Sequence, residues 1–207
     1  MRAYNVGVKS QRTSFESKHV LILHGWQGQR AARHWQSWLA NKLEKAGTRV
    51  LYPQLPDPDS PNLTAWLSTL RYNLDRLGDG EQIVICHSLS CLLWLHAADN
   101  GEIAAPVDRL LFVAPPGARD FAKECESFSP KPFCKEKVEA SSLTPIRLAY
   151  AENDPYCIPD AQTSYGAIYD FDSEILPGAG HITESTGFGP WPAVERWVFD
   201  PDFRLTQ

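Results

Sequence analysis

A chain of 207 residues, 43% hydrophobic and 22% charged, has the composition of a folded globular protein and enough length for one α/β domain around a buried sheet. Its formal net charge of −5, with no run of Lys and Arg, argues against general affinity for nucleic acid or for an anionic membrane. No stretch reaches the apolar length of a membrane span.

Residues 1–19 are polar, mixed in charge and without the apolar core of a secretory signal, and read as a flexible N-terminal tail. From Val20 onward, short β-type runs alternate with helical periodicity, so residues 20–207 form a single domain. Val20 to Leu23 is a continuous apolar run, the pattern of a strand buried on both faces. Arg33 to Ala46 sets Trp35, Trp38, Leu39, Leu43 and Ala46 on one helical face, and Gly47 ends it. Arg49 to Tyr52 is a second strand, closed by a proline-rich stretch. Leu63, Trp66, Leu67, Leu70, Leu74 and Leu77 mark a second helix, with Asn62 as its N-cap.

Gln82 to Cys86 predicts the third strand and Ser88 to Asp99 the helix after it. Leu110 to Val113 and Ile146 to Tyr150 are further strands. Pro159 to Tyr169 reads as helix, Asp172 to Leu176 as a last strand, and Pro192 to Phe199 as a closing helix with Pro in its first turn. The series predicts an α/β fold: a mainly parallel sheet of about six strands with helices on both faces. Pro115 to Thr144 breaks the rhythm. It is long, rich in Pro and Lys, and reads as a cover whose Phe121, Phe128 and Phe133 are apolar enough to line a pocket.

Five cysteines form an odd set without C-x-x-C spacing, which suits reduced thiols in the cytosol better than a disulfide framework. Metal ligation by Cys125 and Cys134 lacks nearby His or Cys partners, so no metal is expected.

Ligands in open parallel sheets bind beyond the carboxyl ends of the strands. At the end of the third strand, "EQIVICHSLS" (residues 81 to 90) delivers Ser88 at a strand-to-helix junction, the layout of a nucleophile elbow. Cys86 and Ser90 stand where the G-x-S-x-G pattern has glycine. Both are small, so the turn is sterically allowed, and glycine at position 90 is expected to keep or improve activity. The plainer reading of Ser88 is an N-cap for the helix. After the first strand, "LHGWQG" (23 to 28) offers the backbone N–H of Trp26, and the elbow offers that of Leu89, as a pair of donors for an oxyanion. After the fifth strand, "AENDPY" (151 to 156) presents Asp154, with Glu152 as a rival carboxylate. After the last strand, "GAGH" (178 to 181) lets glycines swing His181 back toward the serine. Ser88, Asp154 and His181 follow one another in the Ser…Asp…His order of α/β-hydrolases. His87 adjoins the serine and should diverge from it, His24 lies in the donor loop, and His96 lies within a helix.

These segments resemble the YdeN-like small serine hydrolases, a family that includes the retinoblastoma-binding-protein-like hydrolases. The resemblance spans about Val20 to Phe199. It rests on "HGWQG" followed by "HWQSWL" (34 to 39), on "HSLS", on "NDPY", and on "GHITESTGFGPWP" (180 to 192), the most specific of them. It implies a compact α/β-hydrolase fold without early antiparallel strands, and a triad that maps onto Ser88, Asp154 and His181. Ser90 departs from the family pattern, which often has glycine there.

The expected activity is that of a cytoplasmic serine hydrolase acting, without cofactor, on a small-molecule ester, thioester or amide through an acyl-Ser88 intermediate. The alternative is a catalytically weak hydrolase scaffold that binds a protein partner; Trp191 could serve such a contact, although core packing is the better reading of that residue.

Overall fold

The computed structural model describes residues 17–119 and 121–206. The strands are β1 (Lys18–Leu23), β2 (Arg49–Leu51), β3 (Glu81–His87), β4 (Arg109–Val113), β5 (Arg147–Tyr150) and β6 (Asp172–Ile175). The α-helices are α1 (Trp35–Lys45), α2 (Leu63–Leu77), α3 (Leu89–Asp99), α4 (Lys135–Glu139), α5 (Ala167–Tyr169) and α6 (Pro192–Phe199). All strand pairs are parallel, in the order β2-β1-β3-β4-β5-β6. This is the compact α/β-hydrolase sheet.

Side chains alternate across the strands with a period of two, and each face of the sheet therefore owns a core. Val20, Ile22, Ile83, Ile85, Leu111 and Val113 face a layer that includes Trp35, Leu39, Val194 and Trp197 of α1 and α6. Leu21, Leu23, Val84, Cys86, Leu110 and Phe112 face the opposite layer, with Trp66 and Leu70 of α2 and Leu92 and Leu95 of α3. Burial on both sides is what makes the strand sequences read as unbroken apolar runs.

The chain runs from β1 outward to β2 and then returns past β1 to β3, so the order reverses between β1 and β3. Crevices open at such switch points, beyond the carboxyl ends of the strands. The loop after β1 and the turn after β3 both lie there.

Several boundaries differ from the sequence expectation. β1 begins at Lys18, where the ammonium pairs with Glu81 and His19 Nδ1 accepts the Gly80 N–H at 3.2 Å, so Lys18 and His19 belong to the sheet and not to a tail. An apolar run cannot reveal a strand that starts on charged residues; the rest of the expected tail, residues 1–16, lies outside the described residues. The segment after Pro159 starts its helical path only near Gln162, with a π-helical turn over Gln162–Gly166 leading into α5. Trp191 packs in the core, as the better of its two sequence readings has it: it is 5% exposed and lies edge-on against Trp35.

The cover between β4 and β5 is held by anchors. Phe128 is fully buried and lies edge-on to Trp66, with ring centres 5.0 Å apart, and Phe133 packs edge-on to His96 at the same separation. The His96 ring donates Nε2–H to the Phe128 carbonyl at 3.2 Å. Only Phe121 of the three phenylalanines reaches the cavity beside Ser88; the other two are spent fixing the cover to α2 and α3.

At the opposite end of the sheet, Arg109 donates to the carbonyls of Trp197 and Val198 at 2.7 and 2.6 Å. On the β6 edge the Leu205 N–H reaches buried Glu174 at 2.7 Å, and Arg204 pairs with Asp172 and Glu174.

Candidate active site

Ser88 has φ 56° and ψ −123°, a strained conformation for a residue with a side chain. Its side chain makes no capping bond to α3, which removes the N-cap reading. Its N–H is held by Val113 O at 2.9 Å. Ser90 supplies what a glycine could not. Fully buried, its Oγ accepts the His87 N–H at 2.8 Å and lies 2.9 Å from both the Leu23 and His87 carbonyl oxygens. One hydroxyl thus ties the end of β1 to the elbow. Glycine at this position would remove that tie, a loss that the small size of residue 90 does not reveal in the sequence.

The loop after β1 lies against the elbow. A methyl group on Gly25 would stand 2.6 Å from Ser88 Cβ, so no other residue fits without displacing the serine. His24 orients this loop. Its Nε2 accepts the Leu55 N–H at 2.9 Å, which leaves the proton on Nδ1 to donate to Gly25 O at 2.8 Å. Burial lowers its pKa and favours this neutral form. The trans peptide makes the Trp26 N–H point opposite to that pinned carbonyl. Among the described residues no hydrogen bond takes the N–H of Trp26 or of Leu89.

The structure brings Ser88, His181 and Asp154 together. Ser88 Oγ lies 2.8 Å from His181 Nε2, and His181 Nδ1 lies 2.8 Å and 3.0 Å from the two Asp154 oxygens. Asp154 also accepts the Tyr156 N–H at 2.9 Å, and the Tyr156 ring centre is 4.6 Å from that of His181. The rival Glu152 turns elsewhere: its carboxylate accepts the Gly178 N–H at 3.2 Å.

The loop carrying His181 is pinned at successive residues. Gly180 donates to Asn153 Oδ1 at 2.8 Å, the His181 carbonyl accepts the Nε2–H of His87 at 3.1 Å, and the Ile182 carbonyl accepts the indole N–H of Trp35 at 2.9 Å. Ile182 holds φ 51°, an outlier for a β-branched residue, and its side chain is fully buried. His87 does diverge from Ser88, and burial lowers its pKa well below the usual histidine range, so it serves as a neutral donor. The sequence reading excluded His24 and His87 as bases but did not find these roles.

Beside Ser88 opens a cavity of about 410 Å³, with Leu89, Phe121, Ala122 and Cys125 at its apolar side and Tyr156 and Thr186 at its rim. Burial raises the Cys125 thiol to about 12, so it lines the wall as an S–H. All five cysteines are free. Among the described residues no cluster of three or more His, Cys, Asp or Glu could hold a metal ion, and no helix is long and apolar enough to cross a membrane.

Comparison with known proteins agrees with this architecture. The pattern of the Serine hydrolase family matches residues 20–200. The chain belongs to the Serine hydrolase family. YdeN of Bacillus subtilis (strain 168) is 27% identical over 190 residues, covering 86% of this chain and 93% of YdeN. The crystal structure of the B. subtilis ydeN gene product superimposes with a TM-score of 0.76 at 22% identity, over 88% of this chain and 97% of that one. A YdeN-like protein from Pectobacterium atrosepticum gives 0.66 at 19% identity, over 88% and 90%. At these identities the structural likeness speaks for the fold. Family membership sets the chain among the hydrolases of the α/β-hydrolase superfamily.

Proposed function

We propose that this protein is a serine hydrolase that cleaves a small ester, thioester or amide through an acyl-Ser88 intermediate. The observation that carries the proposal is the unbroken hydrogen-bond chain from Ser88 through His181 to buried Asp154, mounted on a strained elbow. In this reading Ser88 Oγ attacks the carbonyl carbon while its proton passes to His181 Nε2. Asp154 holds the ring with its Nδ1–H toward the carboxylate and stabilises the imidazolium. The oxyanion receives the N–H groups of Trp26 and Leu89, the latter at the first turn of α3 where the helix end favours negative charge. His181 then returns the proton to the departing oxygen, sulfur or nitrogen. Water, deprotonated by His181, attacks the acyl carbon, and Ser88 leaves with its proton restored. The free cysteines suit a reducing compartment such as the cytosol.

An active-site-directed fluorophosphonate tests this directly. Rapid, stoichiometric labelling at Ser88, lost in Ser88→Ala and in His181→Ala, is expected. Folded wild-type protein that resists the probe would instead favour a scaffold that binds a protein partner.

A further inference from the structure

Ser88 sits between two cavities of different chemistry. Besides the apolar one of about 410 Å³, a smaller chamber of about 170 Å³ opens between the loop after β1, the start of α1 and Tyr52. Both cavities are lined by Ser88 and His181, so a molecule bonded to Ser88 reaches into each.

The smaller chamber is rich in donors. No Asp or Glu lines it, although the whole chain carries a net charge of −5. Arg30 lines it, with its guanidinium stacked on the Tyr52 ring at 4.7 Å. His34 lines it as well, and its Nδ1 accepts the Gln36 N–H at 3.2 Å, so the neutral ring carries its proton on Nε2. Among the described residues no hydrogen bond uses that N–H. Burial, followed by the neighbouring His24 and His181, lowers His34 to about 4, which keeps it a neutral donor.

A guanidinium and a ring N–H that line one part-enclosed space want an acceptor, and a carboxylate meets both with charge-assisted bonds. An apolar group in the same place would strip water from these donors without replacing it. Size narrows the choice: at ~30 Å³ per water, the chamber has room for a carboxylate and one or two methylenes. We infer that the substrate of this site carries a carboxylate close to the scissile carbonyl, seated between Arg30 and His34, with its apolar part in the larger cavity. The inference rests on the hydrolase reading for its chemistry and adds the substrate class: small acidic esters or thioesters.

Two thioester pairs test it. S-carboxymethyl thiobutyrate places the carboxylate on the leaving thiol, and S-ethyl monothiosuccinate places it on the acyl group; each is compared with its primary amide. At low ionic strength, kcat/KM for at least one acid is expected to exceed that of its amide by about tenfold or more. The ratio should fall toward unity in Arg30→Gln, mainly through KM, and be partly kept in Arg30→Lys. Acids cleaved no faster than their amides by an active enzyme would overturn the inference and leave the hydrolase reading intact. Fluorophosphonate labelling reads the latter separately. Calorimetric titration of Ser88→Ala with both pairs covers the case of no turnover: tighter binding of an acid, lost with Arg30→Gln added, supports the chamber, and equal binding of acid and amide overturns it.

Discussion

The indole N–H of Trp35 donates to the Ile182 carbonyl at 2.9 Å, across 147 positions of sequence and one residue beyond His181. It holds a strained, buried peptide next to the residue read as the general base. Trp35→Phe keeps most of the ring packing and removes the donor. An unsatisfied buried carbonyl costs about 1–3 kcal/mol, and release of the loop should lower kcat by about tenfold with little change in KM. Unchanged kcat in a variant with a lowered Tm would reduce Trp35 to a purely structural role.

Ser90→Gly restores one of the two glycines of the usual elbow pattern yet should harm this protein. The change removes the hydroxyl that bridges His87 and Leu23. Stability is expected to drop by about 1–3 kcal/mol in chemical denaturation, with turnover falling as the loop after β1 loosens. Activity equal to or above wild type would mean the bridge is dispensable.

The two carboxylates of the loop after β5 make a clean comparison. Asp154→Asn presents an amide to the ring and should cost on the order of 10³–10⁴ in kcat. Glu152→Gln keeps an acceptor for the Gly178 N–H and should cost less than about threefold, since a neutral acceptor there is nearly as good. A reversed ranking in steady-state assays would reassign the acid.

Acid should destabilise the fold before most carboxylates titrate. Burial lowers the pKa of His24, His34, His87 and His96, each from an unfolded value of 6.5. Below pH 6.5 the unfolded chain takes up protons that the folded chain refuses, and the loss continues down to the folded values, about 4 for His34. Each fully buried histidine adds a slope of up to about 1.4 kcal/mol per pH unit, so stability should be full above about pH 6.5 and fall steeply by about pH 5.5. Denaturation curves recorded across that window check it; a flat profile would refute the neutral-histidine account.

Acyl-chain preference should be short. A cavity of about 410 Å³, closed on one side by an anchored cover, accommodates a small apolar group. Each methylene buried gives about 0.8 kcal/mol, so kcat/KM on p-nitrophenyl esters should climb for the first few carbons and then stop. A rise that continues to palmitate under non-micellar conditions would point to a long tunnel.

What the sequence made legible follows from local pattern. Strands buried on both faces leave runs such as Val20 to Leu23, and helices with one core face leave the leucine spacing of α2. Chain order, strand-end placement and the family resemblance together brought Ser88, Asp154 and His181 into view. The residues that aim them were not legible. Ring donors such as those of His24, His87 and Trp35 bind backbone carbonyls, which any sequence supplies, so no periodicity or spacing marks them. The choice between Asp154 and Glu152 depended on loop geometry for the same reason. Phe128 and Phe133 looked like pocket lining because an apolar residue in a loop does not announce which surface it covers.

The β6 margin bears on the chemistry of the open sheet edge. A parallel sheet has two open sides where another chain could add a strand. On one side β2 offers only three residues, Arg49–Leu51. On the other, β6 carries Asp172 and Glu174, and Arg147 and Arg204 pair with both carboxylates while the Leu205 N–H donates to Glu174. These charges lie along the margin strand, a composition unfavourable to an apolar edge-to-edge contact. Short margins and charges turned inward are how natural sheets resist edge-to-edge aggregation. The charges that clasp the C-terminal segment thus also set the character of the sheet margin: ionic and short of apolar surface.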